Sequence, residues 1–203
     1  MSHYKSNVRD LEFNLFEVLG LGEVLADGDY GDLDADTART MLHEVAQLAE
    51  GPIAASFVEA DRNPPVFDPA THSITVSDDI KRTVQAVKDS QWWLVGVSEE
   101  IGGVAAPAPL TWAIAEMLFC ANPSVAFLHA LGPAMAQALA VEGNEQQRIW
   151  AAKGLERGWA ATMVLTEADA GSDVGAGRAK AIAQPDGTWH IEGEKRFITS
   201  GDS

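Results

Sequence analysis

The spacing of apolar positions divides the chain into a long helical stretch and a short extended one. Leu11, Phe13, Leu15, Phe16, Val18 and Leu19 predict one short amphipathic helix that ends at Gly20 and Gly22. An acidic, glycine-containing loop follows over 27–34. Met41, Val45, Leu48 and Ala49 then recur at helical spacing behind Asp34 or Asp36, either of which suits an N-cap, and the pattern runs past Pro52 toward Val58. Pro64, Pro65 and Pro69 forbid a regular helix, Asp68-Pro69 favours a turn, and alternation over 73–76 predicts a short extended piece. Ser77 caps a helix carrying Ile80, Val84 and Val87. Trp92 and Trp93 precede a loop over 98–103. Two strongly apolar helices come next, 110–121 behind Pro107 and Pro109, and 124–142 stopped by Gly143. Asn144, with Gln147 three residues on, has the form of a capping box for a helix over 145–156 that ends near Gly158.

The period then changes. Residues 159–166 and 179–183 read as strands. Asp186-Gly187 is the strongest hairpin signal in the chain and joins the second of these to 188–191, and 196–199 reads as a further strand. The expected fold class is α+β, an N-terminal all-α helical domain followed by the start of an antiparallel β-domain. The expected divisions are an N-terminal extension over 1–34, a helical domain over 35–158 and a partial β-domain over 159–203.

Composition narrows the function. With 203 residues, 46% of them hydrophobic, the chain is long enough to bury a core. Asp and Glu number 30 against 14 Lys and Arg, a formal charge of −16, which opposes binding to nucleic acid or to an anionic membrane surface. The acidity reads as a solubility feature. Cys120 is the single cysteine, so no internal disulfide forms, and its place in the apolar run 113–121 predicts a buried, inert thiol. The opening residues lack the apolar core of a signal peptide. The apolar stretch 122–141 approaches the length of a membrane span but contains Pro123, His129, Gly132, Pro133 and Gln137, and reads as a buried helix. No membrane insertion and a cytoplasmic location are the expectation. The five histidines lack metal-ligand spacing, and the acidic stretch 27–36 lacks the EF-hand pattern, so no metal is expected. His129, on an apolar helix, reads as a hydrogen-bonded core histidine.

Three segments carry candidate chemistry. Thr166-Glu167-Ala168-Asp169-Ala170-Gly171-Ser172-Asp173 follows the apolar run 160–165. Small residues and two hydroxyls there let a bulky ligand approach the backbone, Thr166 can bond the edge of a flat ring and Ser172 a phosphate, although an ordinary strand-to-loop turn has the same composition. Phe197-Ile198-Thr199 can cover a flat ring with the aromatic and bond it with the hydroxyl, or form a plain strand with alternating burial. In the loop 96–103, Glu99 and Glu100 raise the idea of acid–base chemistry, but sequence neighbours rarely face one site, and a solvated turn is the simpler reading. The glycines of 171–177 lack the Gly-Lys-Ser/Thr ending of a phosphate loop and run toward a strand, which excludes the nucleotide-loop readings.

The octapeptide 166–173, the segment 195–201 at its spacing, and the helix 142–158 with Asn144-Glu145-Gln146-Gln147-Arg148 resemble the acyl-CoA dehydrogenase family. The match runs over about 77–203, and residues 2–10 resemble the extra segment of its longer, N-extended branch. Ala168 stands where the family normally has proline, and Phe197 where it usually has tryptophan. The resemblance implies a helical domain, a β flavin-binding middle domain and a C-terminal helical bundle. It implies FAD as cofactor, with Met163, Leu165, Thr166, Gly171, Ser172, Phe197, Ile198 and Thr199 as cofactor-binding residues and Ser172 also touching the acyl-CoA substrate. A saturated acyl-CoA would be oxidised to the trans-2-enoyl-CoA in fatty acid β-oxidation. Electrons would pass to an electron-transfer flavoprotein, and the whole protein would be a homodimer or homotetramer. In the family the glutamate base lies in the C-terminal bundle. The expectation is therefore an N-terminal portion with no catalytic base and no activity by itself. An acyl-CoA oxidase and a catalytically dead flavin-containing binding protein are the competing expectations.

Overall fold

The computed structural model describes residues 3–201, so the ends of the expected outer divisions (Met1, Ser2, Asp202 and Ser203) lie outside the described residues. Helix α1 (Val8–Glu12) passes directly into a π-helical turn, Phe13–Val18. Gly20, at φ +65°, halts it, and α2 (Leu21–Ala26) begins at once to bury Leu21 and Leu25. Gly22 thus sits inside α2, and the single helix expected up to Gly22 is two helices. The long helix α3 (Ala35–Leu48) starts at Asp34, whose carboxylate accepts from Thr37 N at 2.7 Å, and buries Ala38, Leu42, Val45 and Ala46 at helical period. Beyond Leu48 the helical path runs past Pro52 through a π-helical turn, Ala49–Ile53, but kinked rather than as one helix to Val58. Gly51 leaves the helical region at φ −87°, ψ −109°, as the residue before Pro52 tends to, and the chain restarts as α4 (Phe57–Arg62).

Two short strands interrupt the helical region. β1 (Val66–Asp68) pairs antiparallel with β2 (Ser73–Thr75), with Phe67 opposite Ile74. Only the second was expected, because the prolines at 64, 65 and 69 flank the first closely. Asp68 closes the turn by accepting from Ala70 N at 2.8 Å and Thr71 Oγ1 at 2.9 Å. Ser77 caps α5 (Asp78–Ser90), and Gln91, at φ +61°, ends it. Two 3-10 turns, Trp92–Leu94 and Glu99–Ile101, follow, with a parallel bridge between Val95 and Val104. Glu99 and Glu100 are exposed at the second turn. Then come α6 (Ala108–Ala121), α7 (Pro123–Glu142) and α8 (Glu145–Glu156). The capping box of α8 is complete: Gln147 N donates to Asn144 Oδ1 at 3.0 Å and Asn144 N to Gln147 Oε1 at 2.8 Å.

The main core joins α2, α3, α6 and the start of α7 through Leu21, Leu42, Val45, Leu110, Met117 and Val125. A smaller cluster (Val97, Ile101, Ala136, Ala151 and Leu155) fixes α8 to α7 and to the turn before α6. Cys120 is exposed on α6 rather than buried, because the buried face runs through Ala113, Ile114, Met117 and Ala121. Helix α7 buries Val125, Ala126, His129 and Ala136 but leaves Phe127, Met135 and Val141 exposed, less covered than a core helix. It is the one helix among the described residues long and apolar enough to cross a membrane by length and composition.

Beyond α8 the chain has less regular structure than expected. Residues 159–166 are not a strand, since no strand among the described residues offers them a ladder. β3 (Lys180–Ala183) and β4 (Trp189–Glu192) form the antiparallel hairpin around Asp186-Gly187, and every residue of both is exposed. Residues 196–199 form a bend and turn, with Phe197 at φ +57°, not a strand.

One buried polar link crosses the core. Asn122, 1% exposed between α6 and α7, donates from Nδ2 to Ser56 Oγ at 2.9 Å, and Ser56 Oγ donates to Ile53 O at 2.8 Å. Asn122 Oδ1 also accepts from Ser124 N at 3.1 Å, capping α7. Asn122→Ala removes the cap and the bond that Ser56 Oγ accepts, and is expected to cost about 2–3 kcal/mol in urea unfolding. Ser56→Ala is expected to cost less, because Asn122 keeps its capping bond.

Candidate functional site

The predicted ligand segments are held by one carboxylate. Glu167 accepts from Arg178 N at 2.6 Å, from Ala179 N at 2.9 Å and from Lys195 Nζ at 2.7 Å, and Lys195 also donates to Leu165 O at 3.0 Å. The backbone of Glu167 closes a tight turn by exchanging bonds with Ala170. Arg196 N donates to Thr166 O at 2.9 Å. In this way residues 165–167, 178–179 and 195–196 are tied together without a sheet. The two backbone donors and Lys195 pull the Glu167 carboxyl well below its ordinary value, to about 2, with the Arg178 amide contributing most.

This knot brings Thr166 beside the 195–198 segment. Thr166 and Ile198 are half-buried, while Met163, Leu165, Gly171, Ser172, Phe197 and Thr199 are exposed. Phe197 shows 85% of its surface to solvent, beneath the Arg196 guanidinium at 5.5 Å from its ring centre. The hydroxyls of Thr166, Ser172 and Thr199 bond to no other group among the described residues. Ser172 is not tied to either segment. Glu167 and Lys195 were not singled out from the sequence. Their signal was present as opposite charges inside two motifs thirty residues apart.

A second feature lies in the helical region. A cavity of about 470 Å³ opens between α6, α7 and residues 93–97, and its lining is almost wholly apolar. Alanines at 115, 126, 130 and 134 keep it wide, and Trp93, Trp112 and Phe127 stand among its walls. Gly96, at φ +88°, lets the segment press on α6: a Cβ there would stand 2.6 Å from Thr111 Oγ1. Gln137 Oε1 fixes the loop by accepting from Ser98 N at 3.1 Å. His129 also lines this cavity. It is buried as expected, but neither ring nitrogen has a hydrogen-bond partner among the described residues. Its ring stands edge-to-face with Trp93, centroids 4.9 Å apart. Burial first, and the nearby Lys88 charge second, lower the imidazole to about 4.

These two groups titrate in separate windows. His129 binds a proton less readily folded than unfolded. Its contribution is complete above its unfolded value near 6.5 and falls away as pH drops to about 4, a loss of roughly 3 kcal/mol. Thermal melts of His129→Leu should lose that dependence between pH 6.5 and 4. The Glu167 contribution is present above 4.5 and is lost as pH falls through about 2. Glu167→Gln should flatten only this lower limb, read by fluorescence changes around Trp189.

No family model matches the chain. Among curated proteins it is 57% identical, over all 203 residues, to a broad-specificity linear acyl-CoA dehydrogenase of Mycobacterium tuberculosis, and this covers 33% of that protein. It is 28% identical over 200 residues to a 3-methylmercaptopropionyl-CoA dehydrogenase of Ruegeria pomeroyi, covering 34% of it. It is 27% identical over 208 residues to a butyryl-CoA dehydrogenase of Syntrophomonas wolfei, covering 33% of it. The solved structure of butyryl-CoA dehydrogenase from Megasphaera elsdenii superposes with a TM-score of 0.64 at 20% identity, over 84% of this chain and 43% of that one. That likeness bears out the expected fold class, helices followed by the start of an antiparallel β region. The chain spans about a third of the length of the curated relatives it matches, all of them oxidoreductases by name. Over its whole length, then, the chain is a homologue of one part of an acyl-CoA dehydrogenase.

Proposed function

We propose that this chain is the portion of an FAD-dependent acyl-CoA dehydrogenase that houses the acyl chain and one side of the flavin. The apolar cavity between α6 and α7 carries this reading, since it suits an alkyl chain and offers almost no polar group to a polar substrate. Identity of 57% to a linear acyl-CoA dehydrogenase supports it. The whole protein then oxidises a saturated acyl-CoA to the trans-2-enoyl-CoA, passes electrons to an electron-transfer flavoprotein and assembles as a homodimer or homotetramer in the cytoplasm.

The residues present suit FAD. Thr166, Ser172 and Thr199 have hydroxyls unspent among the described residues, a side chain at Gly171 would meet only open space, and Phe197 presents an exposed ring with the Arg196 guanidinium over it. Thr166 and Thr199 would bond the ring edge, Phe197 would cover its face, Ser172 would bond a phosphate or the substrate, and Met163, Leu165 and Ile198 would pack against it. Bound FAD supplies the hydride acceptor. The chain's own part is to bind, orient and exclude water: the cavity walls hold the alkyl tail dry, and the Glu167–Lys195 pair keeps Thr166 beside 195–198. Glu167 is not a base, because three donors already occupy its carboxylate and hold it ionised. The proton α to the thioester is taken by a residue outside this chain, so the 203 residues alone turn nothing over.

The test is the visible spectrum of the full-length gene product with FAD and a linear saturated acyl-CoA. Bleaching of a bound flavin band is expected, and Ala130→Phe, which fills the cavity, should weaken the response at least tenfold for long chains. A flavin that binds but never bleaches favours a non-enzymatic binding protein. Bleaching followed by rapid reoxidation in air, without an electron-transfer flavoprotein, favours an oxidase. Stoichiometric FAD and turnover in the 203-residue chain itself would contradict the assignment of the base elsewhere.

A further inference from the structure

Five side chains with polar atoms line the cavity; Trp112 is 71% exposed and open to water, and three of the other four are spoken for. Thr111 Oγ1 donates to Pro107 O at 3.4 Å, Gln137 Oε1 accepts from Ser98 N at 3.1 Å, and Trp93 Nε1 donates to Lys88 O at 3.2 Å. His129 is the exception. It is 3% exposed, and both of its nitrogens lack partners among the described residues. A neutral imidazole carries one donor and one acceptor, and leaving both unmet in an apolar interior is costly. A leucine at this position would fill the same wall without that cost. Buried polar atoms without partners are uncommon, and one on a ligand-sized cavity points to a partner that arrives with the ligand.

We propose that His129 is a specificity-determining residue of this cavity, selecting acyl chains that carry a hydroxyl group part-way along the chain. The inference rests on the reading that the cavity holds the acyl chain. A hydroxyl both donates and accepts, so it pairs with either tautomer of the imidazole. The nitrogens are shielded from water in the free protein. The ring therefore turns out of its edge-on contact with Trp93 to meet the oxygen. A plain alkyl chain leaves His129 as it is, whereas a hydroxylated chain recovers the missing bond. The discrimination is thus a gain for the polar chain and no penalty for the plain one.

The experiment measures binding of dodecanoyl-CoA and its mid-chain and terminal mono-hydroxy isomers to the full-length gene product. At least one isomer should bind about tenfold more tightly than the plain chain. In His129→Leu that preference should vanish, the isomers then binding no more tightly than the plain chain does to the same variant. A second readout needs no variant: 15N-labelled His129 should shift its ring signals with the preferred isomer and not with dodecanoyl-CoA. No preferred isomer, a preference that survives in His129→Leu, or ring signals that ignore the hydroxyl would each overturn the proposal. Failure of every acyl-CoA to bind would instead overturn the reading of the cavity on which it rests.

Discussion

The close approach of α3, α6 and α7 is the constraint on which the rest of this structure depends. Leu42 and Val45 from α3, Leu110 and Met117 from α6, and Val125 at the start of α7 are all fully buried together. Burial of such side chains stabilises by roughly 1.5–3 kcal/mol each, which holds the helices where the cavity needs them. Asn122 and Ser56 cross the same seam and fix its register with hydrogen bonds that an apolar contact cannot direct. Once α6 and α7 are set, small residues along their other faces leave a space that close packing would normally fill. The helical core and the cavity are two sides of the same pair of helices.

The region after α8 is held by different physics. Its hairpin buries nothing on either face, and an isolated two-stranded hairpin is marginal by itself. The order it has is polar. One carboxylate gathers two backbone amides and a lysine, and so joins segments that are far apart in sequence. Charge-assisted bonds of this kind are strong and directional, so they set the spacing of Thr166 against 195–198 without a ladder. The apolar side chains left outside, Trp189, Ile191 and Phe197 among them, show how little apolar packing takes part there.

Much of the helical region was legible because its signals are local. Asp34, Ser77 and Asn144 are caps whose side chains bond the next turn, and Asp186-Gly187 carries its turn geometry with it. The failures share a cause, which is dependence on distant partners. The strands expected over 159–166, an apolar run, and over 196–199 have no neighbouring strand to pair with among the described residues. Cys120 lies in an apolar run yet outside the buried stripe, since α6 turns it away. His129 was placed correctly in the interior, but whether its nitrogens find partners depends on Trp93 and α5, which no local pattern encodes. The motif at 166–173 was readable as composition, whereas the role of Glu167 within it emerged only with Arg178, Ala179 and Lys195 in place.

The most direct test of the account is a crystal structure of the full-length gene product with a linear saturated acyl-CoA bound. The account predicts the alkyl chain between α6 and α7, touching Ala130 and Ala134 and running past Thr111. A chain lying elsewhere, with this cavity closed or empty in the complex, would contradict it.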